Sequence, residues 1–228
     1  MLFTDVERAD TGPRPYSEPQ YAYLNRSARP AAVRIRACLE EWFAHYPDDE
    51  RPAFVSAFQS PIDTQFVAAA FELYLHELLR RLGYQIQVHP ENPTGKSGRP
   101  DFLVICPAGA RLYVEAVLVT DVSDMERGAE ARMNVVYDAL NKLGPTDFFL
   151  GMEMRGAPET PPRAKGLRSA LAQWLAGLDA DAVAKAMAVA GRSALPNRVF
   201  EHNGWRIEFH AIPKSKPIVR DLAVEMVG

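Results

Sequence analysis

Two apolar, β-branched-rich runs, Asp101 to Cys106 and Arg111 to Val119, are joined by the short link Pro107-Ala108-Gly109-Ala110. This link constrains the chain more than any other stretch. A three-residue loop, Pro107 to Gly109, suits a type I turn closed by a left-handed glycine, because proline fits the first position and glycine the third. Cys106 then pairs with Ala110. Counting outward, Asp101 falls directly opposite Glu115. Residues opposite one another in an antiparallel pair point to the same face, with Cβ atoms ~5 Å apart. A loop one residue longer would send the two acids to opposite faces. Asp101 would then be an ordinary turn residue in an unrelated α/β protein.

Around this hairpin the sequence falls into three parts, residues 1–62, 63–155 and 156–228. In the first, residues 1–29 form an irregular arm rich in proline and tyrosine. A helix follows from Pro30 to His45, with Val33, Cys38, Leu39, Trp42 and Phe43 on one apolar face. Tyr46-Pro47-Asp48-Asp49 ends it.

The middle part opens with Asp63 as the N-cap of a long helix, Thr64 to Leu82, stopped by Gly83. Leu75, Leu78, Leu79 and Leu82 form its apolar stripe. Gln65, Glu72, His76 and Arg80 line up beside them as a polar one. Tyr84 to His89 alternates strictly and predicts a strand, with His89 at a surface strand end or a phosphate contact. After the hairpin, Met125 to Leu143 is helical, Gly144-Pro145 stops it, and Phe148 to Met154 is a strand. Three strands with short links predict an antiparallel meander. The helix that follows can cross over to a parallel fourth strand. This is an α/β core with helices on both faces of a mixed sheet.

In the last part, helices at Ala164 to Ala176 and Asp179 to Ala190 precede two strands. These flank Asn203-Gly204, the strongest hairpin signal in the chain. A polar and then apolar stretch, Lys214 to Val227, leaves a strand, a helix and a truncated longer chain all open.

Composition removes some functions. The 228 residues carry 26 Lys+Arg against 29 Asp+Glu, a formal charge of −3. Coating nucleic acid by bulk charge needs a basic excess, so contact with DNA has to be local. No apolar run reaches the ~18–20 residues of a membrane span, and Met1 to Tyr16 lacks a secretory pattern. Cys38 and Cys106 are expected to be buried free thiols in a reducing, cytoplasmic setting. His202 and His210 lack partners at zinc spacing, and no phosphate-binding loop or nucleophile elbow occurs.

Two carboxylates on one face repel unless a proton or a cation bridges them. A hard divalent ion such as Mg²⁺ takes this kind of oxygen ligand. A helix packed on the sheet could project Glu72 toward the same place.

A helix carrying Glu72, a Gly-Tyr leading into a strand, Pro100-Asp101, and a hairpin to Glu115 together resemble the PD-(D/E)xK nuclease superfamily over residues 63–154. The resemblance implies a restriction-endonuclease-like core of helix, three-stranded antiparallel meander, helix and strand. Residues 156–228 are then a helical and hairpin appendage. It implies Mg²⁺-dependent hydrolysis of DNA phosphodiesters, with Mn²⁺ as a substitute and a homodimer as the form that cuts two strands. By carry-over, Asp101, Glu115 and the Ala116 carbonyl hold the metal, and Glu72 is an accessory acid.

The chain departs from the family where its lysine belongs, two residues after the glutamate, at Val117. Valine can neither orient water nor offset phosphorane charge. Lys96 in the glycine-flanked loop and Lys142 near the end of the following helix are equal candidates to replace it. Arg99 comes behind them, since it is a poor base. Arg127, Arg132, Asn134 and Asn141 on that helix, with Arg99, are candidate DNA contacts, against the plain alternative of a solvated helix face. If nothing replaces the lysine, the chain is an inactive DNA- or protein-binding module on the same fold.

Overall fold

The structure, a computed structural model, describes residues 1–92, 95, 98–119, 123–144 and 146–214. Its chain divides into two compact units, Met1–Asp121 and Val122–Gly228. The division falls inside the 63–155 segment that the sequence groups as one core. The described residues form a mixed α/β structure of seven α-helices and two antiparallel three-stranded sheets. None of the helices is long and apolar enough to cross a membrane.

The first unit contains α1 (Gln20–Arg26), α2 (Pro30–Phe43), α3 (Arg51–Phe58), α4 (Asp63–Arg81), β1 (Gln85–Val88), β2 (Phe102–Ile105) and β3 (Arg111–Val114). The arm before α2 is less irregular than its prolines predict. Leu2 and Phe3 are buried, and both their amides donate to Glu40 Oε1, at 2.8 and 2.9 Å. Aromatic rings fill the core they join: Phe3 meets Phe58 edge-on, Phe58 meets Phe66, and Tyr46 meets Phe54. Such pairs add to the burial of their area.

Two helix faces differ from the periodic reading. On α2 the buried residues are Ala32, Leu39 and Phe43, whereas Val33 is exposed. On α4 they are Phe66, Ala69, Leu73, His76 and Glu77, and Leu78 and Leu82 are exposed. Apolar residues lie on more than one side of α4, and the wide phenylalanine core selects the side bearing Phe66 and Leu73. Asp63 is the first helical residue rather than the N-cap, which is Ile62. Its carboxylate instead accepts from the Gln20 amide and pairs with Arg14.

The meander is present as expected, in the order β1-β2-β3. Val88 pairs with Phe102, and Phe102 with Val114. Ile86, Val88, Phe102, Val104 and Val114 pack in the same core as Phe66 and Leu73 of α4.

The second unit contains α5 (Asp124–Leu140), β4 (Phe148–Arg155), α6 (Ala164–Ala176), α7 (Ala180–Ala190), β5 (Asn197–His202) and β6 (Trp205–Pro213). Here the topology departs from the expected parallel crossover. β4 pairs antiparallel with β6, from Phe148↔Pro213 to Arg155↔Arg206, in a sheet ordered β4-β6-β5. The cause lies in β6. Trp205, Ile207, Phe209 and Ala211 on its inner face are all buried, which suits a central strand. The turn at Asn203-Gly204, both with positive φ, fixes β5 on one edge, and the eight residues of β4 match the other. Leu167 and Leu171 of α6 and Val136 of α5 complete this core. Ser123 and Glu126 form a capping box at the start of α5, and Asp179 caps α7 as expected. Cys38 and Cys106 are free thiols, half-buried rather than buried.

Candidate active site at the end of the meander

The geometry begins at the turn. Gly109 has φ +86°, its amide donates to the Cys106 carbonyl at 2.8 Å, and the Cys106 amide donates to the Ala110 carbonyl at 2.8 Å. The loop is therefore the three-residue form, and the observed pairing Phe102↔Val114 follows from it. Asp101 and Glu115 are the next residues out, one position beyond the last ladder pair. The strands stay side by side there, because the Ala116 amide donates to Asp101 Oδ2 at 2.6 Å. Asp101 and Ala116 are half-buried; Glu115 is exposed.

Glu72 projects from the middle of α4 with only 18% of its side chain exposed. The Tyr46 hydroxyl donates to Glu72 Oε1. Tyr46 is 1% exposed, and its ring lies 5.1 Å from that of His76. His89, just past β1, also approaches Glu72: its Nε2 is 3.7 Å from Glu72 Oε1. On the ring's other side, Nδ1 is 2.9 Å from Glu50 Oε2. The His89 amide donates to the Asp101 carbonyl at 2.9 Å.

These groups share one electrostatic field. Burial raises the Glu72 carboxyl above the ordinary carboxylate range; the Tyr46 hydroxyl and His89 oppose the rise, and Asp101 and Glu50 add to it. The Tyr46 phenol is also pushed up, by burial first and then by Glu72, Glu50 and Asp101. Perturbed acids of this kind concentrate where charge is managed for chemistry. Beside them is a cleft of about 400 Å³ whose lining includes Glu50, His89, Glu91 and Arg99.

Comparison with protein-family models, curated proteins and solved structures gives no match for this chain. The chemistry therefore rests on the side chains themselves. Asp101 and Glu72 supply hard oxygen donors, and their mutual repulsion is what a divalent cation would relieve. The sequence assigns such an ion to Asp101, Glu115 and the Ala116 carbonyl, with Glu72 as an accessory acid. Among the described residues, no three His, Cys, Asp or Glu side chains already converge as a metal cage.

The remaining candidates divide. Val117, where the resembled superfamily keeps its lysine, is 68% exposed. Lys96 lies outside the described residues, as does the segment from 215 onward. Arg99 is exposed at the cleft. Lys142 is exposed just past the end of α5, in the second unit. On α5 itself, Arg132 Nε donates to the Pro158 carbonyl at 2.7 Å, which gives that guanidinium a structural task. Arg127 and Asn134 are half-buried and Asn141 is the exposed C-cap residue.

Tyr46 and Glu50 are absent from the sequence-derived site. Tyr46 stands in a run that signals only the end of a helix, and nothing local marks its hydroxyl as a partner of a residue 26 positions later.

Proposed function

We propose that the first unit carries a Mg²⁺-assisted phosphodiesterase site acting on DNA. The observation that supports this reading is His89, whose amide donates to the Asp101 carbonyl at 2.9 Å and whose Nε2 lies 3.7 Å from Glu72 Oε1, so that both acids border one residue at the meander's end. A bound Mg²⁺ there would neutralise phosphate charge and acidify water. Glu72, a carboxyl raised by burial, is a stronger base than an ordinary carboxylate and is suited to take the water's proton. In the hydrolysis, water oxygen bonds to phosphorus and its proton passes to Glu72. The bond from phosphorus to the leaving oxygen breaks, and that oxygen takes a proton from solvent.

The test is cleavage of single-stranded, duplex and branched DNA with Mg²⁺ or Mn²⁺, beside Asp101→Asn. The expected loss in the variant is about 100-fold or more. Equal activity in the two proteins removes the reading.

Val117 favours a second reading, an inactive DNA- or protein-binding module, because an exposed valine stands where the resembled family keeps its lysine. That module would bind without cleaving under any divalent ion. Asp101→Asn would bind DNA at least as well as the unaltered chain, since it removes a charge that repels phosphate.

A further inference from the structure

We propose that His89 and Glu50 are positioning residues of this site, a clasp in which the imidazole, held by Glu50, sets the Glu72 carboxylate against Asp101. The proposal rests on the phosphodiesterase reading and adds to it a segment outside the resembled core, the turn before α3 that carries Glu50.

Three observations carry it. First, His89 has φ +45°, a left-handed conformation that costs a residue other than glycine roughly 1–2 kcal/mol. A solvated strand end has no use for that conformation, whereas this one brings three contacts. The peptide N–H reaches the Asp101 carbonyl, Nδ1 reaches Glu50, and Nε2 faces Glu72. Backbone strain of this kind persists where the surroundings over-determine it.

Second, the clasp joins segments remote in sequence: Glu50 before α3, Glu72 in α4, His89 after β1 and Asp101 before β2. A ring between two carboxylates fixes the distance between the segments that bear them.

Third, the Tyr46 hydroxyl and His89 Nε2 both converge on Glu72 Oε1. The 3.7 Å approach of Nε2 is too long for a direct hydrogen bond, so His89 acts on Glu72 through position. With the hydroxyl bonded to Oε1 and the imidazole facing the same oxygen, the orientation of the carboxylate is set.

The experiment uses the full chain and three variants, His89→Asn, His89→Gln and Glu50→Gln. Asparagine tolerates a left-handed backbone but is too short to span both acids; glutamine keeps the reach. Three quantities are read: Mn²⁺ affinity by calorimetry without DNA, kcat and KM separately on DNA, and thermal unfolding. His89→Asn is expected to unfold with the unaltered chain while losing about tenfold in Mn²⁺ affinity and about tenfold or more in kcat at unchanged KM. His89→Gln should recover part of both, and Glu50→Gln should lose a smaller share of both. If the unaltered chain binds Mn²⁺ and cleaves DNA, and neither His89→Asn nor Glu50→Gln changes affinity or kcat, the clasp is overturned alone. If the unaltered chain neither binds nor cleaves, the phosphodiesterase reading falls and the clasp falls with it. Should His89→Asn unfold early, Glu50→Gln decides by the same two measurements.

Discussion

Helix α4 carries two shielded glutamates five residues apart, and their surroundings treat them in opposite ways. Glu77, with 3% of its side chain exposed, accepts from Arg80 Nε at 2.8 Å and Arg81 Nε at 2.6 Å, and lies 3.1 Å from His45 Nδ1. The Arg80 hydrogen bond, more than any other cause, holds its carboxyl down at about 2. The Glu72 carboxyl is raised, by burial first and then by Asp101 and Glu50, and its tyrosine donor and His89 only partly oppose the rise. Five residues turn a helix by about 140° beyond a full revolution, so the two carboxylates face different neighbours. Shielding alone does not make a glutamate a structural element. Cations make Glu77 a brace, whereas burial and neighbouring acids raise the carboxyl of Glu72.

Substitution is the most direct way to break this contrast. Glu77→Ala leaves two guanidiniums and a histidine without their acceptor. It should cost about 3 kcal/mol in chemical unfolding, the low end for a broken buried pair because Arg80 and Arg81 can rehydrate. A loss no larger than that of an exposed glutamate would remove Glu77 as a brace.

Acid should do the same more gradually. The carboxyl of Glu77 lies lower folded than its ordinary 4.5, so its contribution is complete above that value and drains as pH falls toward 2. The loss should be about 2–3 kcal/mol, seen as a difference between the unaltered chain and Glu77→Gln that shrinks from pH 6 to pH 2.

Glu72→Gln should act in the other direction and more weakly. A carboxyl raised by folding opposes stability as pH climbs through its folded value. The variant should therefore be the more stable of the two at pH 8 in chemical unfolding, with the gain gone below pH 4. A destabilised Glu72→Gln would make both glutamates braces and end the contrast.

The smallest effect sharpens the comparison. Tyr46→Phe removes the donor to Glu72 and should cost about 0.5–1 kcal/mol, more at pH 8 than at pH 4, because the ionised carboxylate needs that donor most. Equal cost at both pH values would mean that the hydroxyl serves packing alone.

Local rules read well wherever a turn sets the geometry. Pro107 to Gly109 set the β2–β3 register, from Ile105↔Arg111 to Phe102↔Val114. Asn203-Gly204 set β5 against β6. The rules failed where the choice lay between partners remote in the chain. β4 satisfies the description of a strand after a crossover helix, yet its partner is β6, whose all-buried inner face demands neighbours on both sides. The leucines of α4 have the period of a core stripe, but an aromatic core assembled from Phe3, Phe54 and Phe58 selected another side of the helix. The site shows the same limit. The sequence offers Asp101 and Glu72 as candidates, by motif and by helix position. Tyr46 and Glu50 come from segments whose sequence describes only a helix end, and His89 is legible as a strand end but not as the link between two acids.

The Ala116 amide lies beyond the last ladder pair of β2 and β3 and donates to a carboxylate rather than to a carbonyl. Its exchange with solvent deuterium is therefore gated by one rotatable side chain. While Asp101 faces it the amide exchanges slowly; once the carboxylate turns away it exchanges at the rate of an open strand end. Deuterium uptake at this single position thus reports where the Asp101 carboxylate points, with no need for substrate or turnover.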